Sequence, residues 1–250
     1  MSFIKLPNLP ENNVKSLIIG QKYSKLLNNS FNQLGIDVLE LPDNPNIDSR
    51  LSGHADMSVL HVGDNRVILA EYLLGSEFSA NLTAIGAKVL FSNEKQEPEY
   101  PLDSGLNVCF VGSRLICNPA TADNIIVKQL TYNEPMIKCR QGYSKCSVCV
   151  VDSNSIITAD TGIADAAELA GLNVLKIMPG LAMLDGFSEG FIGGAAFKLS
   201  SGVLAFTGII PDTFERNRIE SFIRGEGVEP IYLTDADLID IGGAVIIKES

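Results

Sequence analysis

The sequence predicts an α/β protein built as a fivefold, pseudo-symmetric α/β propeller of strand–strand–helix–strand units, in one domain spanning residues 1–250. Three observations lead there. A junction between a helix end and a strand recurs, a hairpin recurs ahead of each helix, and successive copies are spaced by roughly 40 to 50 residues, the mark of a repeat array.

The junction reads apolar-Gly-x-x-Val-Leu in Leu34-Gly35-Ile36-Asp37-Val38-Leu39, in Ile85-Gly86-Ala87-Lys88-Val89-Leu90 and in Ala170-Gly171-Leu172-Asn173-Val174-Leu175. Glycine just past a helix end takes the left-handed conformation at little cost, and the following Val-Leu starts a buried strand. A weaker copy runs from Arg224-Gly225-Glu226-Gly227 into Ile231-Tyr232-Leu233.

The hairpins are pairs of short β-rich runs around a polar turn. Val59 to Val62 and Val67 to Ala70 flank Gly63-Asp64-Asn65-Arg66, and Val148 to Val151 and Ile156 to Ala159 flank Asp152-Ser153-Asn154-Ser155. Val108 to Val111 with Leu115 to Cys117, and Ala195 to Leu199 with Val203 to Phe206, have turns one residue shorter.

Repeats start near Gly53, Asp103, Gly142, Gly190 and Asp240. The fifth copy is split between the termini. Its first strand is Gly243 to Ile247; Ser16 to Ile19, a helix with the stripe Tyr23, Leu27, Phe31, Leu34, and Ile36 to Leu41 complete it. Such a closure leaves no free sheet edge around the ring. An ordinary α/β sandwich would alternate single strands with helices, and four-stranded propeller blades would leave the helical stripes unexplained.

Hydrophobic residues make up 46% of the chain, enough for a substantial core, and 30 acidic against 19 basic residues give a formal charge of -11. This balance excludes nucleic-acid binding, which needs clustered Lys and Arg, and favours a cationic or neutral small molecule as partner. The start, MSFIKLPNLPENN, lacks the apolar stretch of a signal peptide, and no run approaches the roughly 20 apolar residues that span a bilayer. A cytoplasmic protein without a membrane partner is expected. The cysteines Cys109, Cys117, Cys139, Cys146 and Cys149 are odd in number and sit mostly in apolar runs, so free thiols are expected rather than disulfides.

Gly53-His54-Ala55-Asp56-Met57, followed by a strand and Gly63, resembles the Gly-His-x-Asp-Met segment of agmatine deiminases. Over nearly the whole chain the repeat pattern is similar to the pentein fold of guanidino-group-modifying enzymes, nearest to an uncharacterised bacterial family with that fold. The resemblance implies attack of a Cys thiolate on a guanidinium carbon, a His as general acid/base and carboxylates that hold the cation. The chain departs from those enzymes in its last repeat, where Asp240-Ile241-Gly242-Gly243-Ala244 has no Cys at the usual place of the nucleophile.

The residues themselves give the same candidates. His54 and Asp56 are two positions apart, so on an extended strand both face one side, where the carboxylate orients either the imidazole or a cation. The plain alternative is a structural histidine bonded to Asp56. His61, the other histidine, would face the opposite way. Gln141 to Cys149 leads into its strand as Gly53 to Met57 does, two repeats earlier, so the ring would bring Cys146 to His54, with Lys145 lowering the thiol pKa. Asp103 and Asp240 stand near the repeat position of His54 and would point inward as cation holders. Their alternative role is that of ordinary turn or strand-start aspartates.

Other motifs carry less. Cys146-Ser147-Val148-Cys149 is a CxxC, but on a strand its sulfurs would point to opposite faces, so no metal is expected, and Cys149, Cys109 and Cys117 read as core thiols. Asp160-Thr161 reads as a helix cap. Glu189 to Ala195 is glycine-rich, yet it leads into a strand and lacks phosphate-loop spacing, so close packing around a channel explains it and no nucleotide cofactor is expected. The expectation is a cofactor-independent hydrolase or transferase on a guanidino or related C–N group, with Cys146, His54 and Asp56 catalytic and Asp103, Asp240 and Lys145 binding substrate. The alternative is a non-catalytic protein that binds a small cation in the central channel.

Overall fold

A computed structural model describes residues 1–129 and 135–250. The chain opens with β1 (Ser2–Phe3), β2 (Val14–Gly20), α1 (Gln21–Leu34) and β3 (Asp37–Leu41). The next repeat holds α2 (Ala55–Ser58), β4 (Val59–His61), β5 (Arg66–Leu69), α3 (Glu77–Ala84) and β6 (Lys88–Phe91). The third group holds β7 (Cys109–Val111), β8 (Arg114–Cys117), α4 (Asn124–Gln129) and β9 (Met136–Lys138). The fourth has α5 (Ser144–Ser147), β10 (Val148–Val150), β11 (Ser155–Thr158), α6 (Thr161–Leu169) and β12 (Asn173–Lys176). The last elements are β13 (Ala196–Ser200), β14 (Val203–Phe206), α7 (Thr213–Gly225), β15 (Glu229–Tyr232) and β16 (Val245–Glu249).

These strands form one four-stranded sheet, β1-β16-β2-β3, and four three-stranded sheets, β4-β5-β6, β7-β8-β9, β10-β11-β12 and β13-β14-β15. In each three-stranded sheet an antiparallel hairpin is followed by a strand added in parallel after the helix. The four-stranded sheet joins the termini, since β16 is antiparallel to both β1 and β2 and β2 is parallel to β3. The N-terminal Ser2–Phe3 strand was not foreseen from the sequence, being too short to show a period. It covers the outer edge of β16.

The helix–strand junctions form as the glycines dictate: Gly35, Gly86 and Gly171 have φ of 64°, 97° and 82°. The starts of α6 and α7 are fixed by side-chain caps, with Asp160 Oδ1 accepting the Ile163 N–H at 2.8 Å and Asp212 Oδ1 accepting that of Glu215 at 2.8 Å.

β4, β10 and β14 bury both faces, and their alternate side chains enter different cores. In β4, Val59 joins a cluster with Ile18, Leu41 and Ile247 of the four-stranded sheet, while Leu60 joins one with Val108, Phe110 and Leu115. In β10, Val148 packs with Cys109, Val111 and Ile116, and Cys149 with Ala196, Leu204 and Phe206. In β14, Leu204 belongs to that last cluster and Ala205 packs with Leu17 and Ile19 of β2. Each of the five clusters thus lies between two neighbouring sheets, and Cys109, Cys117 and Cys149 are buried core thiols within them. All five cysteines are free. Among the described residues, no helix is long and apolar enough to cross a membrane.

Ile247, fully buried in β16, is the test of the terminal sheet. Ile247→Ala is expected to cost about 2–5 kcal/mol, whereas Leu169→Ala, at a side chain 92% exposed, changes stability by less than about 0.5 kcal/mol. Urea unfolding of both variants measures this, and equal small losses would place β16 outside the cooperative core.

Candidate active site

The site is assembled from the five segments that lead into the first strands of the repeats. Two residues before those strands stand Met57, Asn107, Cys146, Gly194 and Gly243, and five residues before them stand His54, Ser104, Tyr143, Phe191 and Asp240. Backbone hydrogen bonds tie neighbouring segments together: Ser144 N–H to Asn107 O at 3.1 Å, Gly194 N–H to Cys146 O at 3.0 Å, Gly243 N–H to Gly194 O at 2.7 Å and Asp56 N–H to Gly242 O at 3.3 Å. The Asn107 side chain makes the remaining link, reaching Asp56 O at 3.4 Å.

The two segments expected as plain extended lead-ins are single helical turns, α2 and α5. His54 and Asp56 therefore are not neighbours on one face of a strand. Asp56 instead meets the thiol, with Cys146 Sγ donating to Asp56 Oδ2 at 2.9 Å. The carboxylate nearest the imidazole is Asp240, whose Oδ1 lies 3.8 Å from His54 Nδ1. Ligand-capable atoms of His54, Asp56 and Cys146 all lie within 4.8 Å of one another. That donor set suits a borderline divalent ion such as zinc, so it is this trio, not the CxxC pair, that has the chemistry to hold a metal. Cys149 lies in the core beyond its reach.

Asp240 is fixed from below by the N–H groups of Phe191 (2.8 Å) and Gly242 (2.9 Å). A Cβ on Gly194 would fall 1.9 Å from Asp240 Oδ1, and one on Gly242 would fall 2.4 Å from His54 Cβ. The glycine-rich segment thus serves close packing, as expected. Tyr23 stands edge-on to the His54 ring at 5.8 Å.

Charge in this cluster is governed by burial. His54, Asp56, Cys146 and Asp240 are 1%, 2%, 3% and 1% exposed. Desolvation raises Asp56 to about 7 against the pull of Lys145, and lowers His54, which is thereby neutral. Burial, followed by the charges of Asp56 and Asp240, pushes the Cys146 thiol well above its ordinary value. The expected lowering of this thiol by Lys145 is therefore overturned: the nearby charges that govern the sulfur are negative. Both ring nitrogens of His54 and Asp56 Oδ1 lack a hydrogen-bond partner among the described residues.

Of the remaining candidates, Lys145 stays close enough to act on Asp56, and Asp103 pairs with Tyr143. Asp103 is buried, raised by desolvation, and accepts a 2.6 Å hydrogen bond from Tyr143 Oη. Lys145 lines, with Asp56 and His61, a cavity of about 20 Å3 on the strand side of the cluster. His61 Nε2 donates to Asp64 O at 2.7 Å, and burial lowers the group to about 4. Sequence reasoning missed Asn107, fully buried, whose Oδ1 accepts the N–H groups of Lys145 (2.8 Å) and Cys146 (3.2 Å) while Nδ2 faces Cys146 Sγ at 3.1 Å. The available signal was a lone amide in the apolar run Leu106-Asn107-Val108-Cys109.

Comparison with known proteins places this arrangement in a class. Over 100% of this chain and 98% of the other, the fold matches an inosamine-phosphate amidinotransferase from Streptomyces griseus, with a TM-score of 0.60 at 11% identity. DDAH from Pseudomonas aeruginosa, solved as a cysteine-to-serine mutant complexed with citrulline, matches with a TM-score of 0.56 at 13% identity, covering 94% of this chain and 99% of that one. An agmatine deiminase from C. jejuni matches at 0.52 and 10% identity, over 92% and 90% of the two chains. The chain has a mixed α/β fold similar to that of these guanidino-group-modifying enzymes, the pentein fold. Residues 18–245 match the model of DUF6873, a family of unknown function, and the chain belongs to that family. No curated protein matches by sequence.

Two measurements follow from the electrostatics. Brief iodoacetamide treatment of the native protein at pH 7 is expected to label neither Cys146 nor Cys149, and both after unfolding, as read by mass spectrometry. Labelling of native Cys146 would reveal an open, ionised thiol. Because Asp56 holds its proton up to about pH 7 in the folded state but loses it near its ordinary value when unfolded, it removes stability as pH rises through that window. The melting temperature of Asp56→Asn relative to wild type should therefore climb between about pH 4 and pH 7 and level off above. A relative fall over that range would mean that the native carboxyl is held ionised.

Proposed function

We propose that residues 1–250 form a single domain closed as a fivefold α/β propeller, and that it is a cofactor-independent hydrolase or transferase acting on a guanidino or related C–N group. Closure is supported by the five inter-sheet clusters and by the successive links between lead-in segments. The catalytic reading is carried by one observation: a buried thiol 2.9 Å from a carboxylate and grouped with an unpartnered imidazole, all drawn from segments about two repeats apart. The relatives in fold, which include an amidinotransferase and an agmatine deiminase, support the same class.

In this reading Asp56 and Asp240 hold the guanidinium, with Asp103 and Lys145 flanking. The cation adds positive charge beside Cys146, which favours the thiolate. The thiol proton passes to neutral His54 as Cys146 Sγ attacks the guanidinium carbon. The C–N bond to the leaving amine then breaks, and His54 returns the proton to that nitrogen. A thiouronium remains on Cys146. Water, in a hydrolase, or an amine, in a transferase, gives up a proton to His54 while attacking that carbon; the C–S bond breaks and the thiol is restored.

The rival, a non-catalytic protein that binds a cation in the channel, is favoured by the elevated thiol pKa in the free protein. Cys146→Ala separates the two. Under the catalytic reading, ammonia release from agmatine or amidino transfer from arginine falls at least about a thousandfold, while thermal stabilisation by these compounds persists. Stabilisation by both compounds without any turnover by wild type would establish the binding reading instead.

A further inference from the structure

A second cavity, of about 320 Å3, opens beside the buried cluster. It shares a wall with that cluster: Ser147, next in the chain to Cys146, lines it, and so does Phe191, whose N–H holds Asp240 at 2.8 Å. Because His54, Asp56 and Cys146 are only 1–3% exposed, a substrate reaches them only past a wall that moves. Phe191 lines this cavity, its ring 6.3 Å from that of Tyr143.

The cavity has a chemistry of its own. Ile177 and Leu181 give it an apolar side, while Asp160 and Glu189 supply two carboxylates with no basic residue in the lining. Asp160 uses Oδ1 to cap α6 and receives only a 3.2 Å bond from Gln141 Nε2 on Oδ2. The Ser147 hydroxyl is buried and unpartnered among the described residues, with the residue 2% exposed. A buried hydroxyl left without a partner is unfavourable, and a ligand that accepts or donates here would remove the deficit.

We propose that this cavity is the subsite for a cationic tail of the substrate, an ammonium carried on an apolar chain whose other end presents the guanidino group to Cys146. The assignment rests on the guanidino reading for the reacting end alone; the cavity's preference for a cation stands on its own residues. Asp160 and Glu189 neutralise the ammonium, Ile177 and Leu181 receive the methylenes, and Ser147 hydrogen-bonds the ligand.

The test compares agmatine with butylguanidinium, which lacks the ammonium, by calorimetry on the full chain. Agmatine is expected to bind about tenfold more tightly to wild type, and this preference should disappear in Glu189→Gln and in Asp160→Asn, which keeps an oxygen to cap the helix. Ser147→Ala should leave the free protein as stable as wild type or more so, because it deletes an unsatisfied group, yet weaken agmatine binding about fivefold. Equal binding of the two compounds, or a preference untouched by all three variants, overturns the subsite even where both compounds turn over. An ammonium preference that depends on these residues in a protein that neither releases ammonia nor transfers an amidino group supports the subsite and removes the guanidino chemistry.

Discussion

Everything in this molecule depends on strands that are apolar on both faces. A sheet of this kind cannot leave either face in water, and in β4, β10 and β14 successive side chains feed two separate cores. Each sheet therefore contributes to two of the five clusters, and α1, α3, α4, α6 and α7 each add side chains to one of them. The termini obey the same demand. β16 brings Val245 and Ile247 into the cluster of β4 while Ile246 packs towards β13 and β14, so a single C-terminal strand serves two interfaces.

The same constraint creates the site. Sheets crowded around a common centre force the segments that lead into them to converge, and only small or bonded groups fit there. Gly194 and Gly242 supply the space, and Asn107 spends its carbonyl on two backbone N–H groups of α5 while its amide turns to the sulfur. The result is a polar cluster inside a dry centre. Burial drives it to the neutral state, with a protonated thiol, a neutral imidazole and a carboxyl raised to about 7. A net acidic cluster held close to neutrality is one that a cation stabilises and an anion does not.

Much of the fold was legible because repeats multiply weak local signals. Gly35, Gly86 and Gly171 each mark a helix end, and the hairpin turns at Gly63, Gly112 and Asp152 recur at the same place in their units. The site was legible by position but not by geometry. His54, Asp56, Cys146 and Asp240 were singled out and do meet, yet their pairing differs from the one that strand alternation gave. The four-residue turns α2 and α5 are too short to leave a helical period, and they rotate Asp56 towards Cys146 and leave His54 to Asp240. Long-range desolvation was equally invisible: Lys145, adjacent to Cys146 in sequence, seemed its natural activator, whereas the folded chain surrounds the sulfur with two carboxylates drawn from distant repeats.

The place of the cysteine follows from the repeats. Cys146 occupies the position, two residues before the strand, that Gly243 occupies in the last repeat, where the known enzymes usually carry their nucleophile. In the fivefold array proposed above these positions are equivalent by repeat, each two residues before the first strand of its unit. What the chemistry requires is not a particular repeat but a fixed relation between thiol and imidazole. Here His54 and Cys146 stand two repeats apart, and their reactive atoms lie within 4.8 Å. Asp240, from the repeat that lacks the cysteine, stands beside the imidazole. A glycine at 243 is then the residue that the arrangement needs, because its φ of 61° is a backbone conformation that side chains rarely adopt.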